Sequence, residues 1–293
     1  MKSQIYHISN PILQVSISSK GAELQSIFHS LYFIEFLWQG DPTFWGKKSP
    51  ILFPIVGGLK NGQYHYAGST YSLPRHGFAR DKEFSVTHQT DNSITFSLSE
   101  DEETLQHYPF AFILSITYTL EKNRLFVSYE VENSGQNQLY FSIGAHPAFA
   151  LPIVKGTQFS EYYLDFNKTE TAEKWPLNES GLFEDFPIPF LVNCNQYPLN
   201  KPMFYGDALV FKNLASNTIG IFSNKTAHGI SVHYEDFPFM GIWSARNADF
   251  ICIEPWCGIA DAANTQGNFI EKEGMNELAT KEKFSRTWSV EVF

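Results

Sequence analysis

Residues 112–131 read FILSITYTLEKNRLFVSYEV, with apolar and polar side chains alternating through most of both halves. Such alternation is typical of strands with one buried face, because successive side chains of a strand point to opposite sides of the sheet. The Glu121-Lys122-Asn123 cluster between the halves favours a tight turn, since Asn tolerates the backbone conformations that turns require. The stretch therefore predicts two neighbouring antiparallel strands that bury one face.

Alternating or short apolar segments recur along the rest of the chain, whereas helical periodicity is scarce. These segments are 13–17, 93–98, 208–211, 218–222, 229–234, 250–253 and 288–293. Only 100–104 and 269–272 suggest short turns of helix, and residues 152–206 predict long loops laid over a sheet. The pattern favours an all-β fold with residues 1–293 as a single domain, most simply a large antiparallel β-sandwich. A barrel and a pair of packed β domains are the alternatives.

The composition predicts a globular protein that binds neither nucleic acid nor membranes. The chain has 293 residues, 43% of them apolar, and a formal net charge of −10, which repels polyanions. No segment approaches the ~20 consecutive apolar residues of a membrane span, and the N-terminus lacks the apolar region of a signal peptide. We therefore expect a cytoplasmic protein, either a monomer or a homodimer.

The three cysteines, Cys194, Cys252 and Cys257, form no disulfide framework, because their number is odd and their spacing irregular. Cys252 and Cys257 lack a second pair with metal-ligand spacing, so the sequence predicts no metal site. Motifs such as H-E-x-x-H, G-x-S-x-G, the Walker A loop and G-x-G-x-x-G are also missing from the sequence. The sequence therefore contains no motif that indicates a metalloprotease, a serine hydrolase or a nucleotide-binding protein.

Three short segments place ionisable residues beside Gly or Pro at strand ends, where rigid functional positions are commonly built. They are residues 73–81, 142–149 and 252–261. Glu254 ends an apolar strand, where a carboxylate is costly unless it is paired or used. His146 and His76 carry imidazoles that suit acid–base chemistry near neutral pH. The structural alternatives are a buried salt bridge for Glu254, core histidines bonded to backbone carbonyls, and a plain turn for Asp207.

The order of four motifs resembles the aldose 1-epimerase (galactose mutarotase-like) family, and most closely its bacterial LacX-like branch. The motifs are His76-Gly77-Phe78-Ala79-Arg80, Gly144-Ala145-His146-Pro147-Ala148-Phe149, Gly206-Asp207-Ala208-Leu209 and Glu254-Pro255-Trp256. The first is shared with glucose-6-phosphate 1-epimerases, and weaker similarity covers nearly the whole chain. The resemblance implies a sandwich of the supersandwich type, no cofactor, and interconversion of the α and β anomers of a hexose or hexose phosphate.

The resemblance also implies a role for each matched residue. Glu254 corresponds to the base that removes the C1 hydroxyl proton, and His146 to the acid that protonates the ring oxygen as the C1–O5 bond opens. His76 corresponds to a second histidine that hydrogen-bonds the sugar near O5 or O1. Asp207 corresponds to the carboxylate that holds distal hydroxyls. Two catalytic and two substrate-binding residues are thereby assigned.

The cationic side of the site departs from the family pattern. Gly58 stands where relatives of the branch tend to have Arg, and Lys47, Lys48 and Lys60 are candidates to compensate. Arg80 corresponds to a position near the phosphate in the phosphosugar branch, so Arg75 and Arg80 are candidates to bind an anionic sugar.

The alternative for both arginines is an ion pair with Asp81, Glu83 or another acid. Because Gly58 replaces the arginine of the family, a second hypothesis is a sugar-binding or sugar-sensing protein without efficient catalysis. A carbohydrate lyase or hydrolase has less support, because hydrolysis calls for two carboxylates that flank one bond.

Overall fold

In the computed structural model, which describes residues 3–293, strands dominate and helices are short. The strands are β1 (Ile5–Ser9), β2 (Leu13–Ser18), β3 (Leu24–His29), β4 (Ile34–Glu35), β5 (Gln63–Tyr66), β6 (Ser69–Ser72), β7 (Ser85–Gln89), β8 (Ser93–Ser99), β9 (Ile113–Glu121), β10 (Arg124–Glu132), β11 (Leu139–Phe141), β12 (Ile143–Gly144), β13 (Ala148–Ala150), β14 (Tyr162–Lys174), β15 (Ile188–Pro198), β16 (Leu209–Lys212), β17 (Thr218–Ser223), β18 (Thr226–His233), β19 (Phe239–Trp243), β20 (Phe250–Cys257), β21 (Asn276–Leu278) and β22 (Lys283–Val292). Helix α1 spans Glu102–His107, and single 3-10 turns lie at Lys60–Gly62, Ala79–Asp81, Phe159–Glu161, Lys201–Phe204 and Phe269–Glu271.

The two strands predicted from residues 112–131 are β9 and β10, and they pair antiparallel in a nine-stranded sheet of order β15-β14-β17-β18-β22-β10-β9-β8-β7. In β9 the side chains alternate between buried and half-buried positions throughout, as the sequence pattern predicts. Lys122, rather than Asn123, adopts the positive φ of the turn. The last strand, β22, lies between β18 and β10, so the C-terminal segment is hydrogen-bonded on both sides.

A second antiparallel sheet has the order β12-β20-β19-β16, with β13 also pairing with β20. Its central strand, β20, is buried along its whole length. Ile251 and Ile253 enter the main apolar core together with side chains of β9, β10 and β22, whereas Phe250 and Cys252 belong to a separate apolar cluster on the other side of the strand. The predicted antiparallel β-sandwich is confirmed, and β20 presents one face to its core and the other to the candidate site.

The prediction of long loops for residues 152–206 is wrong in part, because β14 and β15 form a long hairpin at the edge of the nine-stranded sheet. The pairing shifts register between Asp165 and Glu170 and twice more before Glu173. Each β-bulge adds a residue to one strand and so breaks the period of two that identifies strands in a sequence. Most of β15 is also solvent-exposed, which removes its apolar signal.

Within residues 3–293 the structure contains no helix that is both long enough and apolar enough to cross a membrane.

Candidate active site

A cleft of about 730 Å³ opens over the face of β20 that points away from the main core. All six site residues named from the sequence line it: Arg75, His76, Arg80, His146, Asp207 and Glu254. Aromatic side chains complete the lining, and they are Trp45, Phe183, Phe204, Tyr205, Trp243 and Trp256. The volume lies within the range of about 300–1,000 Å³ that is usual for small-molecule sites. Residues more than 170 positions apart in the chain thus share one cleft.

The register of β20 with β12 and β13 places His146 across from Glu254. Gly144 pairs with Trp256 and Ala148 pairs with Cys252, so His146, midway between them, lies opposite Glu254. The two side chains share a face of the sheet, and His146 Nε2 lies 3.3 Å from Glu254 Oε2. Sheet pairing alone therefore brings the acid and the base of the prediction together.

The floor of the cleft depends on a glycine of the second motif. The Trp256 ring lies across Gly144, where a Cβ atom would approach Trp256 Cδ1 to 2.6 Å. Trp256 Nε1 donates a hydrogen bond of 3.2 Å to the Ala145 carbonyl, which fixes the plane of the indole. A larger residue at position 144 would push this ring into the cleft.

Burial controls the protonation of the central pair. Glu254 is 1% exposed and His146 is 8% exposed, and the His146 ring stacks on Trp45 with centroids 4.8 Å apart. Burial lowers the pKa of His146 to about 3, and burial raises the pKa of Glu254 well above its usual value although the charge of Arg75 opposes this. Both shifts disfavour the charged forms, so burial favours a neutral imidazole beside a neutral carboxyl group.

His76 stands beside this pair on a strained loop. It adopts a φ of 69°, and its ring lies edge-on to that of His146 with centroids 5.7 Å apart. Its Nδ1 accepts a hydrogen bond of 3.1 Å from the Gly57 amide, and burial lowers its pKa well below the usual value. In a neutral ring whose Nδ1 is the acceptor, Nε2 carries the proton. His76 is therefore a hydrogen-bond donor at the cleft. The following Gly77 is required because a Cβ there would lie 2.2 Å from the Phe53 carbonyl oxygen.

A buried ion pair, which sequence reasoning missed, supports the loop that anchors His76. Lys272 Nζ lies 3.1 Å from Asp261 Oδ1 and also donates to the Ile259 carbonyl. Asp261 Oδ2 accepts from the Lys60 amide at 2.9 Å, and the Asp261 amide donates to the Gly58 carbonyl at 2.9 Å. These bonds hold residues 57–60 against residues 259–261. Lys272 sits in a polar stretch of sequence that gives no sign of its burial.

The two arginines named from the sequence have different partners. Arg80 Nη2 donates to the Arg75 carbonyl at 2.8 Å, and its Nε lies 3.7 Å from Asp81 Oδ2, as the ion-pair alternative predicts. Arg75 forms no ion pair with Asp81 or Glu83 in the described part of the chain, and instead approaches Asp207 Oδ2 at 3.9 Å. Arg75 therefore directs its charge into the cleft.

A third arginine, Arg246, also lines the cleft and was missed by sequence reasoning, because nothing around it in the sequence marks a site. Its guanidinium carbon lies 4.3 Å from the centre of the Tyr205 ring. The Tyr205 hydroxyl donates to Asn247 Oδ1 at 2.5 Å, which joins the two loops of this wall. Arg246 therefore has a fixed stacking partner at the rim of the cleft.

The lysines proposed to compensate for Gly58 point elsewhere. Lys47 pairs with Asp81 at 3.3 Å, Lys48 donates to Gln25 and Gln39, and Lys60 Nζ donates to the Thr265 carbonyl at 3.0 Å. The lining of the cleft includes none of the three. The cations available to a ligand are therefore the arginines.

Asp207, which lies just before β16 of the same sheet as β20, completes the set. It has a φ of 99° and its Oδ1 accepts from the Ala208 amide at 2.7 Å, as in the turn that the structural alternative predicts. Its second carboxylate oxygen faces Arg75. One oxygen thus stabilises the turn, and the other is available at the cleft.

The aldose 1-epimerase family model matches residues 4–286 of the chain. The LacX protein encoded on a plasmid of Lactococcus lactis subsp. lactis is 34% identical over 275 residues, which cover 90% of this chain and 91% of that protein. A galactose mutarotase related enzyme from Lactobacillus acidophilus superposes with a TM-score of 0.95 at 36% identity, covering 99% of this chain and 97% of that one. A galactose mutarotase-like protein from Lactobacillus casei ATCC 334 has a TM-score of 0.93 at 30% identity, covering 99% and 100%. The chain belongs to the aldose 1-epimerase family.

Proposed function

We propose that this protein is a cofactor-independent aldose 1-epimerase that interconverts the α and β anomers of a hexose or hexose phosphate. The observation that carries the proposal is the pair of His146 and Glu254, which lies 3.3 Å apart in a cleft lined by aromatic side chains. A protein that only bound a sugar would need no acid and base that share a proton. Aromatic faces suit the C–H face of a pyranose ring.

The reaction transfers one proton from the C1 hydroxyl to the ring oxygen, so a pair that holds one proton is sufficient. Glu254 as carboxylate takes the hydroxyl proton, and His146 as imidazolium donates to O5 while the C1–O5 bond breaks. Rotation about C1–C2 and the reverse transfers then give the other anomer. Burial favours the neutral form of the pair, and the reactive form has the proton on His146 instead of Glu254, 3.3 Å away. Each positioned acid or base is worth about 10²–10⁴-fold in rate.

The other cleft residues hold the sugar in place. His76 donates from Nε2 to a sugar oxygen near the reacting carbon, since its Nδ1 is already used by the Gly57 amide. Asp207 accepts from distal hydroxyls through the oxygen that faces the cleft. Arg75 lies between these groups and favours the ionised form of Glu254.

The distribution of arginine supports an anionic substituent on the sugar. The chain contains five arginines, namely Arg75, Arg80, Arg124, Arg246 and Arg286, and its net charge is −10. Three of the five line this one cleft. Guanidinium groups bind phosphate through paired hydrogen bonds. We therefore infer that a hexose phosphate is the better substrate of the two.

The direct test follows anomer exchange by NMR or polarimetry on freshly dissolved α-glucose, α-galactose and their 6-phosphates. We expect catalysed exchange for at least one sugar, and faster exchange for a phosphorylated one. Exchange at the blank rate for all four would refute the epimerase proposal. If one of them still bound under that outcome, the protein would be a sugar-binding protein.

A further inference from the structure

Cys252 lies directly behind the catalytic pair. Cys252 precedes Glu254 by two residues on β20, so both side chains point to the same face of the sheet. Cys252 pairs with Ala148, which follows His146 by two residues. One ligand atom of each of the three residues, namely a ring nitrogen of His146, Sγ of Cys252 and a carboxylate oxygen of Glu254, lies within 4.8 Å of the other two. All three residues are more than nine-tenths buried. A thiol, an imidazole and a carboxylate thus converge on one point.

Two atoms of this trio have no hydrogen-bond partner within residues 3–293. They are Glu254 Oε2 and His146 Nδ1. A buried polar atom without a partner is costly, and in a native structure it calls for an explanation such as a catalytic role or an ion, water or ligand that satisfies it. A sugar hydroxyl can satisfy the carboxylate. However, the proposed reaction has no use for the thiol that lies beside it.

We propose that His146, Cys252 and Glu254 bind a thiophilic divalent metal ion such as Zn²⁺, and that this metal competes with the sugar and inhibits the enzyme. The binding follows from the three side chains alone. Only the inhibition rests on the proposed epimerase function.

The spacing of the trio suits a tetrahedral metal. With bonds of about 2.0 Å to nitrogen or oxygen and about 2.3 Å to sulfur, ligand atoms on zinc lie roughly 3.3–3.6 Å apart. The contact of 3.3 Å between His146 Nε2 and Glu254 Oε2 already has this length. Cys252 Sγ, which lies within 4.8 Å, needs to move by no more than about 1.5 Å. A fourth ligand such as water would complete the tetrahedron.

The charges also balance. One thiolate and one carboxylate neutralise a divalent cation, so the buried group carries no net charge, and the protons of the thiol and of the carboxyl group leave to solvent as the metal binds. The surrounding Phe250, Trp45 and Trp243 form an apolar shell around the site. Soft sulfur ligation selects Zn²⁺ and its chemical relatives over Mg²⁺, which prefers oxygen ligands. The bound metal occupies the lone pairs of His146 and Glu254 that ring opening requires.

Cobalt provides a readout that does not depend on turnover. Titration of the full chain with Co²⁺ should produce a thiolate-to-cobalt charge-transfer band in the near ultraviolet. The band should be lost in Cys252→Ala and retained in Cys194→Ser, the matched control at the half-buried cysteine of β15. Circular dichroism is the control that tests whether each variant is folded. A wild-type protein without the band, or a Cys252→Ala variant that keeps it, would overturn the proposal.

Inhibition is the second measurement. Zn²⁺ should reduce anomer exchange to the blank rate, with Mg²⁺ as the inactive control. Cys252→Ala should keep its basal rate and need at least ten times more Zn²⁺, because even groups that merely orient metal ligands change affinity by about 10–100-fold. A cobalt band without turnover of any sugar would support the metal site and refute the epimerase. Turnover insensitive to Zn²⁺, without the band, would overturn the metal site and leave the epimerase standing.

Discussion

Glu254 is a carboxyl group with 1% exposure, and the imidazole of His146 lies 3.3 Å from it. In water at neutral pH the carboxyl group would be ionised and the imidazole partly protonated, but burial favours the neutral form of each. The two groups together can hold one proton, either on the carboxyl group or on the imidazole. This property suits a reversible reaction in which the acid and the base exchange roles.

Replacement of Glu254 by Gln keeps the shape of the side chain and removes the proton acceptor. We expect kcat for anomer exchange to fall by about 10²–10⁴-fold, the usual contribution of a positioned base. Glu179→Gln, at another carboxyl group that lines the cleft, is the control and should lose far less. The measurement is NMR exchange on the preferred sugar. A Glu254→Gln variant as active as the wild type would contradict the role assigned to this residue.

At the scale of elements, the cleft depends on how loops are tied to strand ends. The loop of residues 57–60 carries the amide that orients His76, and the segment after β20 lies against it. The tie between them is the buried pair of Lys272 and Asp261, which are 7% and 5% exposed. A loop held in this way keeps a catalytic geometry that a solvated loop would lose.

Lys272→Met should destabilise the fold by about 3–5 kcal/mol, because it leaves Asp261 as a buried charge without a countercharge. Chemical denaturation measures this loss. The double variant with Asp261→Asn should recover part of it, since both charges are then absent. Lys283→Met, which breaks an exposed pair with Glu130, should change little. Equal losses for the two single lysine variants would show that the buried pair has no special role.

The N-terminus of α1 has a pH-dependent cap. Asp101 Oδ1 accepts from the Thr104 amide at 2.7 Å, and this bond, together with Lys82, lowers the Asp101 pKa below its usual 3.8. A carboxylate whose pKa is lowered by folding stabilises the protein above the unfolded pKa and loses this effect as pH falls through the folded one. Asp101→Ala should therefore cost about 1 kcal/mol near neutral pH. Urea denaturation should show this difference shrinking in acid, and a constant difference would contradict it.

At the scale of the whole molecule, charge is distributed unevenly. An acidic surface surrounds a cleft that holds three of the five arginines. The cleft also holds the carboxyl groups of Glu179, Asp207 and Glu254, so it has no large excess of positive charge. The arginines still offer paired hydrogen bonds, which suit a small anionic substituent, while the acidic surface repels an extended polyanion.

Arg246→Gln should reduce kcat/KM for a hexose 6-phosphate by about 10–100-fold, because a hydrogen bond to a charged group contributes about 1.5–3 kcal/mol. The rate for the unphosphorylated hexose should be nearly unchanged. Arg286→Gln is the matched control, since Arg286 stacks on Phe284 at 4.6 Å much as Arg246 stacks on Tyr205 but lies outside the cleft. An equal loss for both sugars in Arg246→Gln would contradict a phosphate-binding role.

Alternation was sufficient to predict the sandwich, because a period of two is a local property of strands such as β9 and β10. It failed for β14 and β15, where bulges and exposure remove the period. The sequence segments also led to six of the residues that line the cleft. The sequence did not identify Lys272 or Arg246. The burial of Lys272 and the stacking of Arg246 on Tyr205 both depend on segments that are distant in the chain.

The sequence by itself determined the strands, the ionisable residues at their ends and the membership of a family. It could not determine that His146 faces Glu254, or that Cys252 lies within 4.8 Å of both. These contacts come from the register of β12 and β13 with β20, which joins segments about a hundred residues apart. Register is set by the packing of whole strands into a common core, and a shift of one residue would turn every side chain to the opposite face. For that reason only the tertiary structure decides which ionisable groups share the cleft.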